Sequence, residues 1–396
     1  MITTSADLKL VQKLNRLTVL DIIRCKGPIS RAEISKLTNL SPTTVSYAVT
    51  NLMEDGFVIE TGVGDSSGGR KPILIEFNPK GRHVISIEIN RSAINGALYD
   101  LNGIMEYKIH EDLKNLESTN AISSIEEVIE EIIVNAKTSE ILGVGISIPG
   151  IIDKSKGSVL YSTYLNWHNI NLKEIIEDKY GYPVFIENDT NLAALAEKVL
   201  GFNNLVDNLI YISIGKGIGT GIIINRKVYS GFNGSAGEFG HISINKNGDR
   251  CVCGNYGCLY TYASETFIET YMLKHIKMGF KTIIKEDNLD IKNIIDAANG
   301  GDKVSIEAIN EATNNLAIGI ANILNLFNPE MIVIGANNLL KCNFYFNLLK
   351  EKVYDYALET STNNLKFESS RVENPELAGA AILVIEESFK LPIEMG

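Results

Sequence analysis

At 396 residues, 45% hydrophobic, 21% charged and with a formal net charge of -11, the chain has a globular composition and the length for two or three domains of about 100 to 200 residues. Its apolar runs fall short of the about 20 residues that cross a bilayer, and Met1 to Lys9 holds no apolar signal core, so the expectation is a cytoplasmic protein without a membrane partner. The charge is uneven: residues 1–80 hold ten Lys and Arg against eight Asp and Glu, the remainder 27 against 40, which makes the first eighty residues the one stretch electrostatically fit for nucleic acid.

Leu10, Leu14, Leu17 and Leu20 recur at helical spacing until Gly27-Pro28 stops the helix. A second helix starts at Ser30, where Glu33 three residues on completes a capping box. Ser41-Pro42 then reads as an N-cap with proline at the first helical position, and the third helix runs to about Asp55. Strands over 57–61 and 72–77 flank a Gly/Ser-rich loop ending in Gly69-Arg70-Lys71, which is a wing on a helix-turn-helix. Thr43, Thr44, Ser46 and Tyr47, with Ser41 and Arg31, are the expected contacts to double-stranded operator DNA, and Arg70 and Lys71 the wing's basic tip. A small helical domain for protein contacts is the competing reading of residues 1–80.

From His83 the pattern becomes strands separated by helices, and Gly201 to Ile223 repeats the theme around glycine-rich turns. The fold class is therefore α/β, with a winged helix-turn-helix over 1–80, a first lobe over 81–190 completed by 378–396, and a second lobe over 191–377.

Three groups of residues carry chemistry. His241, Cys251, Cys253 and Cys258 offer one imidazole and three thiolates, the donor set of a closed tetrahedral zinc site, structural because all four positions come from protein; buried cysteines are the alternative. Glu187-Asn188-Asp189 ends a strand and opens a helix, where ligands bind in α/β sheets; Asp189 is a candidate general base or, alternatively, the N-cap of that helix. Glu238 reaches His241 through a glycine-rich loop, and Gly215 to Gly221 has the backbone freedom to approach an anion without matching a dinucleotide or Walker spacing.

Together these motifs resemble the ROK family of bacterial sugar kinases and sugar-responsive repressors, which share an actin-like, two-lobed ATPase fold. The resemblance spans nearly the whole chain and rests on Ser235-Ala-Gly-Glu-Phe-Gly-His241, Cys251-Val-Cys-Gly-Asn-Tyr-Gly-Cys258, Glu187-Asn-Asp-Thr-Asn191 and, for the repressors, Ser30-Arg-Ala-Glu33 and Gly68-Gly-Arg70. It implies sugar contacts at Asn188, Asp189, Glu238 and His241, a structural Zn²⁺ on His241 and the three cysteines, and homodimers or homotetramers on a palindromic operator.

The chain departs from the family's kinases where it matters for ATP. The kinase phosphate loop Asp-x-Gly-Gly-Thr is replaced by Glu88-Ile89-Asn90-Arg91-Ser92, and the adenosine-side glycine run by Gly335-Ala336-Asn337-Asn338. The expectation is a repressor without enzymatic activity, with Asp189 a vestigial base; an ATP-dependent sugar kinase carrying an accessory DNA-binding head is the alternative. Tyr260 stands where the family's zinc motif ends in a sugar-binding Glu, so a phenol replaces one hydroxyl contact. A bound monosaccharide is expected to release or modulate the operator complex. Xylose is the first choice of effector, because the repressors that the chain resembles include xylose regulators and Tyr260 could fill room that a hexose needs, with glucose, N-acetylglucosamine and other sugars left open.

Overall fold

The computed structural model describes residues 4–64, 71–90, 92–113, 117–136 and 140–390. Arg70, with Gly68 and Gly69 of the wing, and Arg91 lie outside the described residues.

The head consists of α1 (Thr4–Lys26), β1 (Ile29–Ser30), α2 (Arg31–Thr38), α3 (Pro42–Glu54), β2 (Val58–Val63) and β3 (Ile73–Phe77). The capping box at Ser30 and Glu33 forms as expected, and Ser41 caps α3 by accepting from Thr44 N–H, with Pro42 in the first turn. Val45, Val49 and Leu52 face the core beside Ile34 and Val19. The two-residue strand β1 pairs with β3 and makes the wing a three-stranded sheet, a pairing too short to register in sequence periodicity.

In the first lobe, β4 (His83–Ile89), β5 (Ala93–Asp100), β6 (Met105–Asp112), β7 (Ile141–Ile148) and β11 (Val184–Asn188) form a mixed sheet in the order β11-β7-β4-β5-β6. Helix α4 (Ser118–Asn135) covers one face, burying Ile125, Val128 and Ile132. Strands β8 (Ile151–Asp153), β9 (Ser158–Ser162) and β10 (Trp167–Ile170) make a small antiparallel sheet, followed by α5 (Leu172–Tyr180). Helix α6 (Asp189–Ala196) leaves the end of β11 and runs into a π-type turn, Glu197–Gly201.

The second lobe repeats the plan with β12 (Leu209–Ile214), β13 (Ile218–Ile224), β14 (Lys227–Val228), β15 (Met331–Gly335) and β16 (Lys366–Ser369), ordered β14-β13-β12-β15-β16. Its helices are α7 (Tyr260–Ala263), α8 (Glu265–Lys277), α9 (Ile291–Asn299), α10 (Lys303–Phe327), α11 (Tyr345–Tyr356) and α12 (Glu359–Thr362). The chain then returns through α13 (Pro375–Ser388) to the first lobe, against β4, β7 and α6.

Helix α13 sits between a sheet and a helix, so its surface is apolar nearly all round: Leu377, Ala378, Ala380, Ala381 and Val384 are buried. Gly379 permits the crossing with α6, since a Cβ there would lie 2.0 Å from the Leu192 carbonyl oxygen. One hydrophobic cluster runs from Val19, Ile23 and Ile75 of the head through Val84 and Tyr99 to Ile382 and Ile385 of α13. Head and core therefore share buried apolar surface, and such surface is worth about 25 cal/mol per Å².

Candidate functional site

On the head, Thr43, Ser46 and Tyr47 lie exposed on the outer face of α3, and Lys71 is exposed beside the wing. Three other expected DNA contacts have a structural duty as well. Ser41 Oγ accepts from Thr44 N–H at 3.1 Å and lies 2.8 Å from Thr44 Oγ1, so both hydroxyls serve the cap. Arg31 donates to Glu60 of β2 at 3.1 Å and lies against Met53 Sδ, tying α2 to the wing.

Between the lobes, the capping role that sequence offered for Asp189 belongs to Asn188. Asn188 Oδ1 accepts from the N–H groups of Thr190 and Asn191 and from Thr190 Oγ1, while its Nδ2 donates to the Gly150 carbonyl at 3.1 Å. Asp189 occupies the first turn with its carboxylate on Thr190 N–H at 2.8 Å. Burial is the main cause that raises Asp189 from 3.8 to about 6; Thr190 N–H works against it, and the Glu88 and Glu238 carboxylates add to it. Glu88 and Glu238 come from opposite lobes, and both carboxylates act on Asp189 through their charge.

Sequence reasoning missed a fourth carboxylate. Glu376, in the first turn of α13, is pushed from 4.5 to about 8 by burial first and then by Glu88, with Asp189 and Glu197 contributing. Nothing in its local sequence, Asn-Pro-Glu-Leu, marks it, because the neighbours that shift it come from distant strands and helices. Also missed was the row Glu187, Ser147 and Glu88, aligned across β11, β7 and β4. Glu187 is ion-paired with Lys154 and accepts from Asn191 Nδ2 at 3.0 Å. Ser147 Oγ and Asn191 Oδ1 are buried with no partner among the described residues, and buried polar atoms are normally satisfied.

Both shifted carboxylates bind protons more tightly folded than unfolded. Their contribution to stability is complete below about pH 4 and is lost as pH rises through about 6 and about 8. The melting temperature is expected to fall between pH 5 and 8.5, and Glu376→Gln to flatten the upper part of that fall and melt higher than wild type at pH 8.5. Scanning calorimetry at fixed ionic strength checks this; parallel profiles for the two proteins would refute it.

Where a kinase holds phosphate, Asn90 Oδ1 accepts from Ser92 N–H at 3.0 Å, Ala93 N–H at 2.9 Å and Ser92 Oγ at 3.2 Å. The loop's own side chain thus consumes donors that a phosphate would need. The glycine-rich hairpin 215–221 also differs from its anion-binding expectation at one end. A Cβ on Gly221 would lie 2.1 Å from the Thr190 carbonyl oxygen, so close packing of α6 on β13 accounts for this glycine.

At the knuckle, the ligand atoms of His241, Cys251, Cys253 and Cys258 all lie within 4.8 Å of one another. Cys251 Sγ is 3.6 Å from His241 Nδ1, and Cys253 Sγ is 3.7 Å from Cys258 Sγ. A tetrahedron with metal–ligand bonds of about 2.0 to 2.3 Å has edges of about 3.3 to 3.8 Å, the range of these two separations, so the cluster is compatible with one zinc-sized ion. Nδ1 faces the sulfurs, leaving Nε2 as the imidazole's other donor or acceptor. Tyr260 opens α7 two residues after Cys258, and Glu238 precedes His241 by one short 3₁₀ turn.

The family model described as ROK matches residues 84–387, and a winged helix-turn-helix DNA-binding model matches residues 14–59. The chain is 36% identical over 391 residues to the xylose repressor of Caldicellulosiruptor bescii, covering 97% of this chain and 98% of that one. It is 30% identical over 382 residues to the DNA-binding transcriptional dual regulator NagC of Escherichia coli, covering 96% and 94%. Among solved structures, a ROK family transcriptional regulator, a homolog of the E. coli MLC protein, superposes with a TM-score of 0.86 at 31% identity, covering 96% and 97%. With a winged head, two lobes and such relatives along almost its entire length, the chain belongs to the ROK family.

Proposed function

We propose that the protein is a sugar-responsive transcriptional repressor that holds operator DNA with residues 1–80 and a monosaccharide between the lobes 81–190, completed by 378–396, and 191–377. The observation that carries this reading is the path of α13. Its first turn carries Glu376, which feels the charges of Asp189 and Glu88 where α13 packs on α6 and β4. At its other end Phe389 stacks edge-on against Phe57 of the head, ring centroids 5.3 Å apart, with the Arg24 guanidinium 5.2 Å from its ring. A shift at the carboxylates thus has a stiff element through which to reach the head.

Asn188, Asp189, Glu238, His241 and Tyr260 are the sugar contacts in this reading, and His241, Cys251, Cys253 and Cys258 hold a structural Zn²⁺. Bound by these four residues, a zinc ion would supply a structural crosslink across the knuckle and fix the orientation of the His241 imidazole, whose other ring nitrogen would then be offered to a hydroxyl. The carboxylate oxygens of Asp189 and Glu238 accept from sugar hydroxyls. Transferring a proton is not required of either, and the Asn90 side chain takes the Ser92 and Ala93 donors that a phosphate would need. Xylose is the preferred effector, in keeping with the xylose repressor among its relatives, while a further relative named N-acetylglucosamine repressor keeps that sugar on the test panel. A homodimer or homotetramer on a palindromic operator, in the cytoplasm, completes the proposal. No helix among the described residues is long and apolar enough to cross a membrane.

Thermal unfolding across a monosaccharide panel, with and without MgATP, tests the reading. A ligand that binds only the folded state raises the melting temperature by mass action, about 2.7 kcal/mol of stability at a hundred times its Kd. The expected result is a shift with xylose or one other sugar and none with MgATP. A shift with MgATP that grows when sugar is added would restore the kinase.

A further inference from the structure

A groove on the head runs between α1 and α3. Lys9, Lys13 and Arg16 line it from one side and Thr44, Tyr47 and Asn51 from the other. Positions 9, 13 and 16 share one helical face, as do 44, 47 and 51. Arg16 is already committed: its guanidinium is ion-paired with Asp55 at the end of α3 and lies 5.9 Å from the centre of the Phe57 ring. Lys9 and Lys13 are exposed, and neither has a carboxylate partner among the described residues.

The direction of the two helices gives these lysines a use. Arg16 meets Asp55 beyond the last residue of α3, while the groove that holds Lys9 also holds Thr44, two residues into α3. At about 1.5 Å per residue, Lys9 lies about 10 Å along α1 from Arg16, toward the start of α3. A recognition helix meets base edges with its N-terminal residues, so the lysine end of α1 lies on the DNA side of the head. Tyr47 and Asn51 supply neutral donors of the kind that also bind phosphate oxygens.

We infer that this groove is a second DNA-contacting surface, in which Lys9 and Lys13 hold backbone phosphates flanking the major-groove site and so fix the angle at which α3 enters. This rests on the repressor reading above, and it adds an element, α1, that the recognition helix and wing alone would leave idle. Point cations on flexible stems match phosphates without regard to base identity, so the surface contributes affinity and registry and carries no sequence code.

The test uses the full-length chain and a duplex enriched from a random pool by the wild-type protein. Affinity is measured by fluorescence anisotropy across salt concentrations for wild type, Lys9→Gln/Lys13→Gln, and Lys281→Gln/Lys292→Gln at exposed positions of the second lobe as a charge-matched control. Each phosphate contact contributes about 0.9 to the slope of log affinity against log salt. The double variant is expected to lose about 1.8 from that slope, equivalent to about 60-fold weaker binding at 0.1 M if the proteins converge at 1 M. It should also enrich the same sequence from the pool and keep its melting temperature, while the control binds like wild type. An unchanged slope in a folded double variant would overturn the inference and leave the groove to another partner; a changed sequence preference would replace phosphate contact with base contact. Failure of wild type to enrich any duplex would overturn the repressor reading itself.

Discussion

Cys258→Ser is expected to lower the melting temperature of the full chain by about 10 °C and to abolish stoichiometric zinc. Cys258 is fully buried with its Sγ 3.7 Å from Cys253 Sγ, and a hydroxyl there neither ionises nor binds zinc as a thiolate does. Losing a structural metal belongs with the substitutions that cost more than about 4 kcal/mol, and each kcal/mol moves the transition of a domain of roughly this size by about 2 to 4 °C. Beside it in the core, Leu259 and Phe239 pack against α10, where a Cβ on Gly319 would touch both side chains. Loosening the knuckle therefore reaches the centre of the second lobe. Elemental analysis of the purified protein together with calorimetry gives the answer. Zinc-free wild type melting like the variant would make the four residues a packed thiol cluster; Cys25→Ser, at an exposed position on α1, should change neither measurement.

The second large effect concerns communication. In Phe389→Ala the sugar should still raise the melting temperature, but it should no longer weaken operator binding. The ring is half-buried between Phe57 and Arg24, and Arg24 in turn lies 5.3 Å from the Phe77 ring. Cation–π contacts of this sort are worth about 0.5 to 2 kcal/mol each, comparable to the 1 to 3 kcal/mol, or about 5- to 150-fold, of a typical coupling between sites. Removing the ring at one end of α13 thus removes the contact on which transmission depends while leaving the carboxylates at the other end untouched. Operator affinity with and without saturating sugar is the measurement: the ratio should fall toward one. A ratio equal to wild type would show that lobe and head communicate through the Asn78 to Arg82 connection instead, where Asn78 Nδ2 donates to the Gly56 carbonyl and Arg82 to that of Asp55.

Local features were legible wherever the deciding interaction is short in sequence. The Ser30 and Glu33 box, the Ser41-Pro42 start of α3 and the Cys251 to Cys258 knuckle each span eight residues or fewer, so their residue types announce them. The sequence also placed Asn90 in the phosphate loop, and the fold then showed how its amide satisfies the turn. Boundaries were less legible: the helix after β11 changes at Glu197 to a π-type turn. There Glu197 caps a loop from far along the chain, accepting from the N–H groups of Arg371 and Val372, both at 3.0 Å.

What the sequence determined by itself is therefore the list of parts: a winged head, two α/β lobes and a cluster of one histidine and three cysteines, each written in periodicity, capping or spacing, with the altered phosphate loop visible through the resemblance to the family's kinases. Tertiary structure alone decided that Glu376 lies in the electrostatic field of Asp189 and Glu88, that Phe389 packs against Phe57 of the head, and that Asn188 rather than Asp189 caps the helix. The physical reason is that desolvation, electrostatic fields and ring packing depend on distance in space, and Glu88, Asp189 and Glu376 come together only when β4, α6 and α13 meet across nearly three hundred residues of chain.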